Sequence, residues 1–115
     1  MGLISPAAAE QLTRTELTPA QATAAAELLL EALKNRQGDV MHDALAAPVQ
    51  TSVDMNTVQA RLNQRAAIDA TRVVSVTPGY NTTTIDAVVT TASGDEGVLM
   101  VLDEDGKLLA WKWSD

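Results

Sequence analysis

The sequence lacks several residue types on which common functions depend. Its 115 residues include no Cys and no Phe, and aromatic residues make up only 3% of the chain. The absence of Cys excludes disulfides, thiolate metal ligands and a thiol nucleophile. The single histidine, His42, is accompanied by no Gly-x-Ser-x-Gly nucleophile motif. We therefore predict that His42 is a surface or half-buried residue rather than a general base.

Positive charge is also scarce. Eight Lys and Arg residues stand against fifteen Asp and Glu residues, which gives a net charge of -7 and a pI near 4.5. This balance disfavours electrostatic binding to nucleic acid or to an anionic membrane surface. No apolar run reaches the ~18 residues of a membrane-spanning helix. No glycine-rich phosphate loop is present, so no cofactor is predicted.

The chain length corresponds to one domain. We predict an N-terminal segment over residues 1–17 and a single α+β domain over residues 18–115. The run Ala7-Ala8-Ala9 follows an apolar stub and is typical of a signal-peptidase site, which favours an exported or periplasmic protein. The alternative is a short helix that is capped by Ser5 and runs to Arg14.

Two helices are predicted in the next part of the chain. The stretch Thr18-Pro19-Ala20-Gln21 forms a capping box, which begins a long helix with an Ala and Leu stripe. Gly38 is expected to end this helix. A short second helix is expected from Val40 to about Ala46, and Pro48 is expected to end it.

A third helix is expected from Asp54 to near Ala67. Its spacing directs Met55, Val58 and Leu62 inward, and Arg61 and Arg65 outward.

From Ile68 the apolar period changes from 3.6 to 2, which indicates strands. Short connections rich in turn residues permit only antiparallel neighbours. The predicted fold class is therefore α+β, with N-terminal helices packed on a four-stranded antiparallel meander sheet. The four predicted strands are Ile68 to Thr77, Thr83 to Ala92, Gly97 to Asp103 and Lys107 to Trp113.

The expected turns pair Thr77 with Thr82, Ala92 with Gly97, and Leu102 with Lys107. This register gives one apolar face, which the long helix would cover. Arg72 is the one charged residue in the middle of that inner face.

A buried guanidinium needs an acceptor. Two interpretations of Arg72 stay open. It either reaches a carboxylate or helix carbonyls as a structural tie, or it receives an anionic ligand in a cleft that Tyr80, Trp111 and Trp113 could line.

The predicted outer face of the sheet also carries apolar residues, although a solvated face should be mostly polar. A homodimer interface or a ligand surface is one interpretation. The other is that the segment from Ala7 to Leu17 folds back over this face. The candidate interface residues are Val88, Leu99, Val101, Leu108 and Ala110.

The acidic stretch Asp103-Glu104-Asp105-Gly106 has part of the spacing of a calcium loop. The positions that would supply its first and last ligands are Val101 and Lys112, whose side chains cannot bind calcium. A polar turn is therefore predicted, and no metal site.

The run from Ala25 to Lys34, the second helix up to Leu45, and the segment from Val98 to Leu108 together resemble domain-of-unknown-function family 3887. This family lies within the cystatin-like and nuclear-transport-factor-2-like group. The resemblance covers Leu17 to Trp113 and implies an α+β domain of helices on a meander. The Gln-x-Val-x-Gly hairpin of true cystatins is missing, so protease inhibition is not expected.

Two functions follow as expectations. The first is a non-catalytic binding or dimerisation module that acts through the outer face. The second is a small-molecule pocket protein, or a weak enzyme of the nuclear-transport-factor-2-like type, that binds an anionic ligand through Arg72.

Overall fold

The computed structural model describes residues 17–114 of the chain. The predicted export signal or helix before Leu17 lies outside these residues. Four helices precede four strands, as the α+β prediction requires. The elements are α1 (Pro19–Lys34), α2 (Gly38–Asp43), α3 (Ala47–Ser52), α4 (Met55–Asn63), β1 (Ile68–Pro78), β2 (Thr82–Thr91), β3 (Gly94–Asp103) and β4 (Leu108–Ser114).

The capping box of α1 is confirmed. The amide of Gln21 donates to Thr18 Oγ1 at 3.1 Å, and the amide of Thr18 donates to Gln21 Oε1 at 3.0 Å. Both contacts satisfy amides that the first helical turn leaves without partners. The apolar stripe of α1 then packs into the core against the inner face of the sheet; its buried residues are Ala22, Ala26, Leu29, Leu30, Ala32 and Leu33.

The predicted end of α1 is wrong. The helix ends at Lys34, and the positive φ of 53° at Arg36 turns the chain. Gly38 instead begins α2, where its amide donates to Gln59 Oε1 at 3.0 Å. A Cβ at Gly38 would collide with the side chain of Gln59, so a larger residue would displace that side chain from this hydrogen bond.

Proline also acts differently from the prediction. Pro48 was expected to end the second helix. It lies in the first turn of a further helix, α3, where the missing amide of proline costs no hydrogen bond.

In α4, Val58 and Leu62 are buried as predicted, while Met55 is exposed and its inward assignment is wrong. The helix ends at Asn63, earlier than expected.

The sheet is the predicted meander, with strand order β1-β2-β3-β4 and antiparallel pairs throughout. The register differs from the prediction at all three turns. β2 and β3 are joined by the two-residue loop Ala92-Ser93, which brings Thr91 opposite Gly94 rather than Ala92 opposite Gly97. The shift is an even number of residues, so each residue of β2 and β3 keeps its predicted face.

The register of β1 is interrupted by an irregularity between Val73 and Ser75. The extra residue reverses the alternation, because adjacent side chains of a strand point to opposite faces. Arg72 therefore pairs with Val88 on the outer face and is exposed, and its predicted location on the inner face is wrong. Val73 faces the core instead, while Val74 is 54% exposed.

Another irregularity of β1 lies between Ile68 and Ala70, and a third lies in β4, where Leu102 pairs with Leu108 and Val101 pairs with Ala110. It turns Leu108 into the core, where the residue is fully buried. The assignment of Leu108 to the outer face is therefore wrong. Leu108 also forms a parallel bridge with Leu45, in which its amide donates to Ala44 O and its carbonyl accepts from the Ala46 amide, both at 2.8 Å.

The remaining outer-face assignments agree with the observed pairing. Val88, Leu99, Val101 and Ala110 share one face of the sheet. The first three are half-buried, and Ala110 is exposed. None of the four belongs to the hydrophobic core or packs against it.

Within residues 17–114, no helix is long and apolar enough to cross a membrane.

Candidate functional site

An apolar groove lies between α3, α4 and the sheet edge formed by β4. We call it the β4 groove; its volume is about 320 Å³, and it is lined by Leu45, Val49, Val53, Thr57, Val58, Arg61, Leu109, Ala110 and Trp111. This volume is at the lower end of the range typical of small-ligand sites. The lining is apolar except for Thr57, Arg61 and the indole of Trp111. The groove therefore suits an apolar group whose polar end lies near Arg61.

Arg61 of α4 and Arg65, which lies two residues after the end of α4, stack on the two tryptophans of β4; we call them the α4 arginines. The guanidinium carbon of Arg61 lies 4.7 Å from the centroid of the Trp111 ring, and that of Arg65 lies 4.5 Å from the centroid of the Trp113 ring. Both distances are in the range of cation–π interactions. Trp111 and Trp113 are two residues apart on one strand, so the two arginine–tryptophan pairs are neighbours along β4.

A second depression continues from the groove. It has a volume of about 340 Å³, and its described lining is Arg61, Gln64, Arg65 and Trp113. Arg61 borders both spaces. The site therefore passes from an apolar part into a part with two positive charges, in a protein whose net charge is -7.

The position of α4 is fixed at its start by Asp54. The carboxylate of Asp54 accepts a hydrogen bond from the Thr57 amide at 2.8 Å. Hydrogen bonds from the Thr57 amide and hydroxyl stabilise the charged form and lower the pKa of Asp54 below its ordinary value of 3.8. The cap thus holds the N-terminal turn of the helix that carries Arg61.

Side chains farther along tie α4 to the α1–α2 connection. Gln59 Nε2 donates to Arg36 O at 3.0 Å, and the Arg36 guanidinium donates to Arg65 O at 2.7 Å. These contacts join the body and the C-terminal end of α4 to the rest of the helical layer.

Trp111 contributes a polar atom without a partner. Its side chain is 8% exposed, and its indole N–H has no acceptor among the described residues. A buried donor without an acceptor costs about 1–3 kcal/mol. A ligand oxygen that reached this N–H would supply the missing hydrogen bond.

The four residues predicted to line an anion cleft are not brought together. Trp111 and Trp113 lie side by side on β4 under the α4 arginines. Arg72 is on β1, at the opposite edge of the sheet, and Tyr80 is 89% exposed in the β1–β2 turn. The tryptophans therefore have arginine neighbours, but not the arginine that the sequence predicted.

His42 is half-buried, as predicted, and its ring nitrogen Nε2 lies 2.8 Å from Val53 O. A carbonyl oxygen can only accept, so Nε2 carries the hydrogen in this contact. The contact holds Val53, and with it one wall of the β4 groove.

The acidic stretch after β3 forms the predicted polar turn. Asp103 Oδ1 accepts from the amides of Asp105 and Lys107 at 2.9 and 2.8 Å, and Gly106 has a φ of 82°. Over residues 17–114, no three His, Asp or Glu side chains are grouped so that they could hold a metal ion.

The sequence contained a signal for the pairing of Arg61 with Trp111 that the prediction did not use. Arg61 and Arg65 are four residues apart on one helix face, and Trp111 and Trp113 are two residues apart on one strand face. The prediction placed the arginines on one face of the helix and the tryptophans on one face of the strand. That these two faces contact each other could not be deduced without knowing that α4 packs beside β4.

Comparisons with protein-family models, with curated proteins and with solved structures found no match to this chain.

Proposed function

We propose that this protein is a non-catalytic binding module whose ligand carries a carboxylate next to a short apolar group. The observation that carries the proposal is the Arg61 guanidinium, held over the Trp111 ring at the border of the apolar β4 groove. The ligand would insert its apolar group between Val49, Val53 and Trp111. Its carboxylate would pair with Arg61.

The chemistry of Arg61 supports an anionic ligand. Stacking on an indole uses the face of the guanidinium and leaves the N–H groups at its rim able to donate. No carboxylate of the described residues pairs with Arg61. A planar guanidinium binds a carboxylate through two parallel hydrogen bonds, which gives both affinity and orientation.

Binding fits the lining of the groove better than catalysis does. The described residues that line it supply no carboxylate, histidine or lysine, and Thr57 supplies the single hydroxyl. The ring nitrogen Nε2 of His42 is engaged by Val53 O. A reaction that needs proton transfer would have to recruit its acid and base from elsewhere.

Tryptophan fluorescence tests the proposal directly, because both tryptophans of the chain lie under the α4 arginines. We expect a saturable change with hexanoate and none with hexanol or hexylamine at the same concentrations. A ligand of this size should bind with a dissociation constant of about 1 mM.

Two arginine variants provide the matched comparison. Arg61→Gln should weaken hexanoate binding at least about tenfold, since a charged hydrogen bond contributes roughly 1.5–3 kcal/mol and each 1.4 kcal/mol is a factor of ten. Arg72→Gln removes an equal charge at the opposite edge of the sheet and should leave binding unchanged. An equal loss in both variants, or no saturation by hexanoate, would contradict the proposal.

We also propose homodimerisation through the outer face as a second function. The observation that favours it is the row in which Asp86, Leu99 and Lys112 lie side by side across the three strands. Two copies related by a two-fold axis could stack their leucines and pair each Asp86 with the partner's Lys112. Within one copy of the chain, Leu99, Val88 and Val101 lie outside the hydrophobic core.

Light scattering at high micromolar concentration tests this second function. We expect a dimer for the wild type and a monomer for Val101→Glu, since a charge in the centre of the interface must be desolvated. Leu28→Glu is the control, because Leu28 is 73% exposed on α1, away from this face, and should stay dimeric. A monomeric wild type would refute the dimer.

A further inference from the structure

β4 is an edge strand whose first residue, Leu108, pairs with backbone from outside the sheet. Leu108 pairs with Leu45 in a parallel bridge, and both hydrogen bonds of the bridge run to the backbone on either side of Leu45. At Ala47 the chain leaves this position to form α3. Leu45 is thus the one residue of this segment that pairs with β4, and the chain then turns away from the strand.

Beyond Leu108, β4 is paired on one side only. β3 borders it along Ala110 to Ser114, and within residues 17–114 no backbone group from outside the sheet bonds to this part of β4. Alternate residues of an edge strand direct their N–H and C=O groups away from the sheet. These groups are a ready template for a further strand.

The β4 groove opens along this same edge. Its lining includes the consecutive residues Leu109, Ala110 and Trp111. Ala110 belongs to the outer face and Trp111 to the core, so a space that touches both lies at the rim of the strand rather than on one face. Backbone hydrogen-bonding groups and an apolar groove therefore meet at one place, with the Arg61 guanidinium beside them.

We propose that the occupant of this site is an extended peptide that adds to β4 as a fifth strand and ends in a carboxylate near Arg61. The location of the site and the role of Arg61 rest on the function proposed above; the peptide backbone is the new element. Main-chain hydrogen bonds to β4 would supply affinity, and alternate side chains would enter the β4 groove.

Electrostatics and geometry favour such a peptide. The protein is acidic overall, but α4 holds the Arg61 guanidinium against Trp111, beside the free edge of β4. An extended chain beside β4 advances by about 3.3 Å per residue, so a strand whose last residue lies beside Trp111 would bring its terminal carboxylate to this guanidinium. The carboxylate end of a peptide is thus the end that this part of the edge attracts.

The probe for the test is the peptide acetyl-Thr-Val-Thr-Val-Thr-Leu with a free carboxyl terminus. We expect saturable shifts of the β4 amides in a proton–nitrogen NMR spectrum, with none in β1. The C-terminal amide of the same peptide should bind about tenfold more weakly, because the charge-assisted pair with Arg61 is lost.

Two N-methylated versions test strand addition itself. One carries N-methyl groups on the two valines and the other on the second and third threonines, so each removes donors from one edge of the peptide only. A strand that pairs along one edge should lose binding in one version and keep it in the other. Equal binding of both versions, or no β4 shifts with the parent peptide, would overturn the inference.

Hexanoate separates this inference from the function on which it rests. Binding of hexanoate without binding of the peptide would leave the carboxylate groove standing and refute the fifth strand. Peptide binding that is sensitive to one set of N-methyl groups but indifferent to Arg61→Gln would keep the fifth strand and refute the role of Arg61.

Discussion

The two edge strands of the sheet meet solvent in different ways. β1 has eleven residues, two register irregularities, between Ile68 and Ala70 and between Val73 and Ser75, and a terminal proline at Pro78. β4 has seven residues, begins with a strand bridge to Leu45, and lies beside α4. Bulges and prolines are devices that prevent another strand from pairing with an edge. The β1 edge is thus blocked by its own backbone, whereas the β4 edge is bordered by other elements that leave a groove.

The arginines at the two edges also differ in their surroundings. Arg72 on β1 projects from the outer face and makes no hydrogen bond or ion pair with the described residues. Arg61 is also exposed but is held by an aromatic ring beside an apolar groove. In the proposed function, Arg61 binds the ligand because a neighbouring surface fixes its direction, and among the described residues Arg72 has no such surface beside it.

The largest expected effect concerns the residue that anchors the β4 edge. Leu108→Ala should lower the free energy of unfolding by about 2–5 kcal/mol, because Leu108 is fully buried in the core. Val74→Ala, in the irregular part of β1, should cost about 0.5 kcal/mol or less, since Val74 is largely exposed. Urea denaturation measures both values. Similar losses at the two positions would mean that the edges do not differ as described.

A smaller effect is expected when the cap of α4 is removed. Asp54→Ala deprives the Thr57 amide of its acceptor and should lower the melting temperature and loosen α4. NMR signals of the Trp111 and Trp113 indoles should shift, while the signal of Tyr80 at the far edge should not. Asp54→Ser keeps a capping oxygen and is the matched control. An unchanged indole signal in Asp54→Ala would show that the cap does not control the site.

The same carboxylate makes the β4 side sensitive to acid. The pKa of Asp54 is lower in the folded chain than its ordinary value of 3.8, so protonation is easier after unfolding. Its stabilising contribution is therefore complete above pH 3.8, declines as the pH falls below that value, and is lost below the folded pKa. Following the Thr57 amide by NMR during acidification, with Asp54→Ser as a reference, should show this decline. A stabilisation that grows on acidification would have the wrong sign.

The smallest effect on stability is expected for the two exposed arginines. Arg61→Gln should cost up to about 1 kcal/mol, the contribution of a cation–π contact at an exposed site. Arg72→Gln should change the free energy of unfolding by less than about 0.5 kcal/mol. Thermal denaturation of the two variants sharpens the contrast between the edges. A larger loss for Arg72→Gln would indicate a contact of Arg72 beyond the described residues.

Much of the fold could be predicted because its signals are local. The capping box at Thr18, the start of a helix at Asp54 and the change of apolar period at Ile68 each depend on residues that are close in sequence. The alternation within β2 and β3 also sufficed to separate the inner from the outer face. These features follow from hydrogen bonding and periodicity within single elements.

The predictions failed where the backbone inserts an extra residue. The irregularities at Val73–Ser75 and after Leu108 reverse the alternation of side chains between the two faces of the sheet. The residues around them carry no sequence pattern that predicted either irregularity. They moved Arg72 out of the core and Leu108 into it. Of the candidate site, the sequence analysis named the two tryptophans, and their role there stays a prediction. Their arginine neighbours depend on how α4 packs beside β4, which is a tertiary property.

The bridge between Leu45 and Leu108 has a consequence for the order of folding. The three hairpins of the meander join neighbouring segments, whereas this bridge connects residues more than half the chain length apart. Contacts of large sequence separation carry a higher loop-closure cost and tend to form after local ones. The β4 groove is therefore expected to assemble in the last stage of folding, after the sheet has formed. A chain that has only collapsed would have both tryptophans on a strand but no groove beside them, so ligand binding would select the fully folded molecule.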